Sequence, residues 1–158
     1  MEVGENNEAA LYLVNNVFSK IKTPLIIAGR KPSAELVSAI TKYSHIQLKS
    51  NINTEEIDEL IMNAQINVLP TFQSTGIKLK LLAALFNGRY CIVNSQMVVN
   101  TGLEHLCSIK DSPEDMAMEI INLFEKPFEM EEKQKREMIL SENFSNTNNG
   151  KKLLKLIR

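Results

Sequence analysis

The chain has 158 residues, of which 44% are hydrophobic, 23% charged and 6% aromatic, with a formal net charge of -1. Eighteen Lys+Arg against nineteen Asp+Glu exclude a bulk electrostatic pull toward nucleic acid or anionic lipid, and nucleic acid is not expected as a partner. No apolar run approaches the roughly 20 residues that span a bilayer, and the polar start, Met1-Glu2-Val3-Gly4-Glu5-Asn6-Asn7-Glu8, is not a secretory signal.

The expectation is one cytoplasmic domain over residues 1–158, whose hydrophobic period switches between helical and strand-like along the chain. Ala10, Leu13, Val14, Val17, Phe18 and Ile21 recur at helical spacing and predict an amphipathic helix. After Pro24, the compact run Leu25-Ile26-Ile27-Ala28, stopped by Gly29, predicts a buried strand. Pro32 and Ser33 open a second helix toward Tyr43, and His45-Ile46-Gln47-Leu48 follows as a weaker strand. Thr54 reads as an N-cap, with Glu55 and Glu56 in the first turn where the helix dipole favours acids. That helix leads into the strand Ile66-Asn67-Val68-Leu69-Pro70.

A polar loop, 71–75, precedes a helix over 76–86 that is apolar almost all round and ends at Asn87-Gly88, a left-handed stop. Tyr90-Cys91-Ile92-Val93 is the next strand, and a shorter one is expected near Leu106-Cys107-Ser108-Ile109. Ser112-Pro113-Glu114-Asp115 supplies an N-cap, a proline at the first helical position and an acid at the third, starting a helix through Phe124. Two further helices, 131–141 and 147–157, close the chain.

Strands alternating with helices of this length predict an α/β fold: a Rossmann-like parallel sheet flanked by helices. Right-handed crossovers place every strand-to-helix turn on one edge of that sheet, where ligands bind outside the carboxyl ends of the strands. A doubly wound domain opens on its central strand, whereas this chain opens on a helix. The expectation is therefore a fragment whose first strand is missing.

The segment from Leu69 to Gly88 carries the chemistry. The first-turn amides of its helix lack intrahelical partners and point toward the ligand edge. Lys78 and Lys80 lie near this positive end, where a cation is disfavoured by about 0.3–1 kcal/mol unless an anion reverses the sign. A phosphate accepting the Gly76 and Ile77 amides under one lysine satisfies both observations. Ideal helical spacing sets the two lysines about 200° apart, so one faces the pocket, and Lys80 is the choice. Two lysines snorkelling from a buried helix explain the pattern equally well.

Gly29-Arg30-Lys31-Pro32 opens on the same edge and offers Arg30 or Lys31 as a second cation, and Asn94-Ser95-Gln96, led by Asn94, follows the 90–93 strand as a hydrogen-bonding partner for a ligand hydroxyl. His45 and His105 lack a second ligand at useful spacing, and Cys91 and Cys107 fall in strands as core residues rather than as disulfide or zinc ligands. The mixed-sign run 129–137 reads as a solvated helix face. No metal-spaced cluster, Walker loop or GxGxxG occurs, so neither a metal nor a bound cofactor is expected.

With these pieces in order, the sequence resembles the C-terminal, donor-binding domain of group 1 glycosyltransferases with the GT-B fold. Gly4-Glu5-Asn6-Asn7 before a helix looks like the turn after that family's first strand, and Leu25-Ile26-Ile27-Ala28-Gly29 looks like its "ivGxG" strand. Residues 55–70 are similar to "eelxxlyxxadvfvlPS". Residues 75–84 stand where the family has "EGFGLxxxEA", and 88–93 where it has "GxPVV".

The resemblance implies a retaining transferase of cell-surface polysaccharide or glycan synthesis. Its donor is a nucleotide diphosphate-sugar, whose diphosphate lies against the helix after the singled-out loop. Gly29, Arg30, Thr75, Gly76, Ile77, Lys80 and Asn94 are then the donor-binding residues; no residue is assigned a catalytic role. It further implies an N-terminal acceptor domain missing from this chain, with membrane association left open for the full-length protein. The fragment alone is expected to be inactive. The family's paired glutamates fall on Thr75 and Ala83, which carry no charge. That departure keeps a second reading open, a non-catalytic, degenerate GT-B-like module that binds a nucleotide or a partner protein. A third, an unrelated flavodoxin-like domain, lacks the acidic cluster it would need at the strand ends.

Overall fold

The structure, a computed structural model, describes residues 4–73 and 78–144. Contacts gather into two units, Met1–Lys126 and Pro127–Arg158. Unit one is α/β, as expected, with every strand pairing parallel. Its elements run α1 (Gly4–Tyr12), a π-helical segment (Leu13–Phe18), β1 (Leu25–Gly29), α2 (Ala34–Ile40), β2 (Ile46–Ser50), α3 (Thr54–Asn63) and β3 (Ile66–Leu69). They continue with α4 (Leu79–Asn87), β4 (Tyr90–Val93), α5 (Ser95–Val98), a 3-10 turn (Glu104–Leu106), β5 (Ser108–Ile109) and α6 (Pro113–Phe124). In the second unit α7 (Met130–Phe144) carries the mixed-sign run mostly exposed, although Arg136 is buried, with its guanidinium 5.3 Å from the centre of the Phe128 ring. The helix expected over 147–157 lies outside the described residues. No described helix is long and apolar enough to cross a membrane.

Hydrogen bonding divides the sheet. β1 pairs with β2, and β3-β4-β5 form a separate three-stranded ladder. Side chains span the division. One core gathers Val14, Val17 and Phe18 from the π-helical segment, Leu36 and Ile40 from α2, Ile92 from β4 and Met116 and Ile120 from α6. Leu25 and Ile27 of β1 and Ile66 and Val68 of β3 pack on that same cluster. Successive strand residues point to opposite faces, so Cys91 and Val93, both buried, face away from it.

Local chemistry sets the boundaries, with some departures from the sequence pattern. The first helix begins at Gly4 rather than near Ala10, and its second half widens into π-turns that turn Leu13, Val14, Val17 and Phe18 inward together. The α3 cap is Asn53, not Thr54: Asn53 Oδ1 accepts from the Glu56 amide at 2.8 Å and Glu56 Oε2 accepts from the Asn53 amide at 2.9 Å. α4 starts at Leu79, three residues later than the pattern suggests. Ser112 caps α6 as expected, with Pro113 in its first turn. His45 Nε2 lies 3.1 Å from the Phe18 carbonyl, a structural tie.

Gly88 is not the left-handed stop read from Asn87-Gly88, because its φ is -87°. It is glycine for want of space: a Cβ there would lie 2.4 Å from Asn67 Nδ2 and 2.7 Å from the Ala84 carbonyl oxygen. Asn67 can yield, the backbone of α4 much less. Gly88→Ala is expected to cost about 1–3 kcal/mol of overpacking. Gly29→Ala meets open space and is the control, expected to leave the urea midpoint nearly unchanged.

Candidate functional site

Three parallel registers, Gly29 with Ser50, Leu69 with Val93 and Val93 with Ile109, align the strand ends. In the β3-β4-β5 ladder this brings the turn after β3 beside the residue after β4. There the Asn94 carboxamide closes a reciprocal pair: its Oδ1 accepts from the Thr71 amide at 3.0 Å and its Nδ2 donates to the Thr71 carbonyl at 2.6 Å. Both residues are buried. Next door, the Ser95 amide and hydroxyl donate to Asp111, and those bonds hold its carboxyl below the usual carboxylate range.

The first turn of α1 lies across this edge and connects its loops. Asn7 Oδ1 accepts from the Ser33 amide at 2.9 Å, reaching the turn after β1. Asn6 Oδ1 accepts from Lys80 Nζ at 3.1 Å, and the Glu5 carboxylate accepts from the Thr71 hydroxyl. Lys78 Nζ lies 3.9 Å from Glu5 Oε1 and donates to the Gln73 carbonyl at 2.7 Å.

The two lysines therefore converge instead of diverging by 200°. Lys78 is the N-cap of α4, with ψ 71°, so the helical rotation does not apply to it. Burial lowers the Lys80 pKa; the Glu5 carboxylate opposes that effect and the neighbouring Lys78 ammonium adds to it. A half-buried ammonium held down by desolvation and a like charge gains from any anion that reaches it.

Of the other residues singled out in the sequence, Gly29 ends β1, and its carbonyl accepts from the Asn51 amide at 3.0 Å. Arg30 is exposed, and among the described residues nothing joins it to Lys80. Lys31 beside it adopts a left-handed φ of 50°, an uncommon backbone for lysine. Thr75, Gly76 and Ile77 lie outside the described residues. Glu5, Asn6 and Thr71 were not singled out as site residues; the helix start placed at residue 10 had left the first two outside any element. The signal available for them was a Glu-Asn-Asn run directly ahead of an apolar helical period. A separate depression of about 230 Å³ lies between β2 and α3, lined by Lys49, Ile52, Glu56, Glu59, Leu60 and Asn63, and its acids outnumber its one lysine. No group of three or more metal-ligating side chains occurs among the described residues.

A parallel α/β sheet flanked by helices defines a Rossmann-like domain, and its carboxyl edge carries a helix start and two lysines. Residues 2–126 match the family described as Glycosyl transferases group 1, and the chain belongs to that family. Its fold is that of a Rossmann-like half of the GT-B architecture, and the family supports glycosyl transfer as the general activity. No curated protein and no solved structure matches the chain.

Proposed function

We propose that this chain is the donor-binding half of a retaining glycosyltransferase, taking a nucleotide diphosphate-sugar at the β3–α4 turn. The observation that carries the reading is the convergence of Lys78 and Lys80 at the start of α4. The diphosphate would lie against the first-turn amides, with Thr75, Gly76 and Ile77 around it and Lys80 as its principal cation. As the glycosidic bond breaks, charge accumulates on the leaving diphosphate. Fixed amide dipoles and an ammonium already in place stabilise it without needing to reorganise. Gly29 and Arg30 would border the donor at the β1 end. Asn94 acts by holding Thr71, and through it the loop. An acceptor-binding half is needed for transfer, so this chain alone is expected not to transfer sugar.

One observation favours a second reading. α4 carries Ala83, half-buried, where a carboxylate would bind sugar hydroxyls. Without it the chain would serve as a nucleotide-binding module that performs no transfer.

Thermal shift against UDP- and GDP-sugars and the free nucleoside diphosphates tests both. Stabilisation that Lys80→Ala reduces is expected, by about 1.4 kcal/mol of binding free energy for each tenfold loss of affinity. No shift with any of these compounds at millimolar concentration sinks both readings. Equal shifts with sugar-bearing and free diphosphates favour the module.

A further inference from the structure

We infer that Glu5 is a resident counter-ion at the phosphate position: it pairs with Lys78, next in α1 to the Asn6 that holds Lys80, and must give way to a phosphate-bearing ligand. The inference rests on the reading above that these lysines receive phosphate. Glu5 reaches the pair from another element, the first turn of α1, where the helix dipole also favours a carboxylate. Its Oε1 accepts from Thr71 and faces Lys78, and its charge is felt at Lys80. The side chains are largely withdrawn from water, 19% exposed for Glu5 and 9% for Lys78, so screening by solvent is weak.

Charge then decides what the site can take. With Glu5 in place the three side chains sum to one positive charge; with Glu5 displaced they sum to two. A multiply charged diphosphate approaching the lysines meets the Glu5 carboxylate as a like charge. The penalty grows with the charge of the ligand. Glu5 is thus a selectivity residue that lowers affinity most for the most highly charged anions. It favours diphosphates whose outer phosphate is esterified, as in a sugar donor, over free pyrophosphate.

Calorimetric titration of the 158-residue chain with inorganic pyrophosphate and with inorganic phosphate tests this. Glu5→Gln is expected to tighten pyrophosphate binding about tenfold and phosphate binding by less. Glu5→Asp keeps an acid in the first turn of α1 but withdraws it from Lys78, and should show part of the same gain. It decides the matter should Glu5→Gln fail to fold. Unchanged pyrophosphate affinity in the variants, with clear binding by the parent chain, overturns the role of Glu5 and leaves the phosphate site standing. Weaker binding overturns it in favour of Glu5 as a direct ligand contact. No binding by parent or variants overturns the role of Glu5 together with the site itself.

Discussion

Phe18→Ala is expected to lower the free energy of unfolding by about 3–5 kcal/mol. Phe18 is 2% exposed and stands with Val14 and Val17, both at 0%, in the π-helical segment. The size of the effect follows from the position of that segment. No hydrogen bond of either ladder joins β1 to β3, so the β1-β2 and β3-β4-β5 ladders are held together by side chains. The cluster containing Phe18 touches β1 through Leu25 and Ile27 and β3 through Ile66 and Val68. A cavity there removes transfer energy and also loosens the joint between two ladders that backbone pairing does not secure. A single domain has about 5–15 kcal/mol to lose, so the variant should unfold at a much lower urea midpoint. Its urea slope should fall as well, because the two ladders would begin to open separately. Ile92→Val, in the same cluster but within one ladder, is expected to cost about 0.5–1.5 kcal/mol with its slope unchanged. A Phe18→Ala midpoint close to that of Ile92→Val would show that the ladders are joined by something else.

The strands were the most legible part of the chain, although Cys107, read as a core residue of the last one, precedes β5 and is only half-buried. The run from Tyr90 to Val93 is a strand with the expected bounds, because four apolar residues between a glycine turn and an asparagine leave a parallel interior strand little alternative. α6 was equally readable, since Ser112 and Pro113 fix its start chemically. What failed were features decided by contacts distant in sequence. Gly88 looked like a left-handed stop, whereas Asn67, twenty-one residues earlier, is what excludes a side chain there. Asn53 outcompeted Thr54 as a cap because Glu56 sits three residues after it, a spacing that was present in the sequence but weighed less than the threonine. At the site, the lysines were found by their cost at a helix start. Their angular relation was misjudged because an N-cap residue does not follow the helical rotation. Glu5 was missed because its partners, Thr71 and Lys78, lie more than sixty residues away, and no local period reports such a meeting.

Asn94 separates positioning from ligand contact. The sequence offered it as a partner for a ligand hydroxyl, but in the structure both ends of its carboxamide are engaged by the Thr71 backbone. Asn94→Ala would leave the amide and carbonyl of a fully buried residue without these partners, at about 1–3 kcal/mol each, so a loss of roughly 2–6 kcal/mol is expected. Thr71 also donates to Glu5, so loosening it should weaken the hold on the counter-ion as well as on the loop. Asn94→Asp retains an acceptor for the Thr71 amide but sets a carboxylate oxygen against the Thr71 carbonyl. It should lose less stability than alanine if the carboxylate takes up a proton, and that remainder should shrink as pH rises through the raised carboxyl pKa. The sign follows because a carboxyl favoured in its protonated form by the fold contributes stability below its folded pKa and loses it above. Urea melts of the three proteins across acidic and neutral pH, run beside nucleoside diphosphate titrations, separate the two roles. A positioning Asn94 lowers stability and affinity together. An Asn94→Ala chain of undiminished stability that has lost affinity would instead mark the carboxamide as a direct ligand contact.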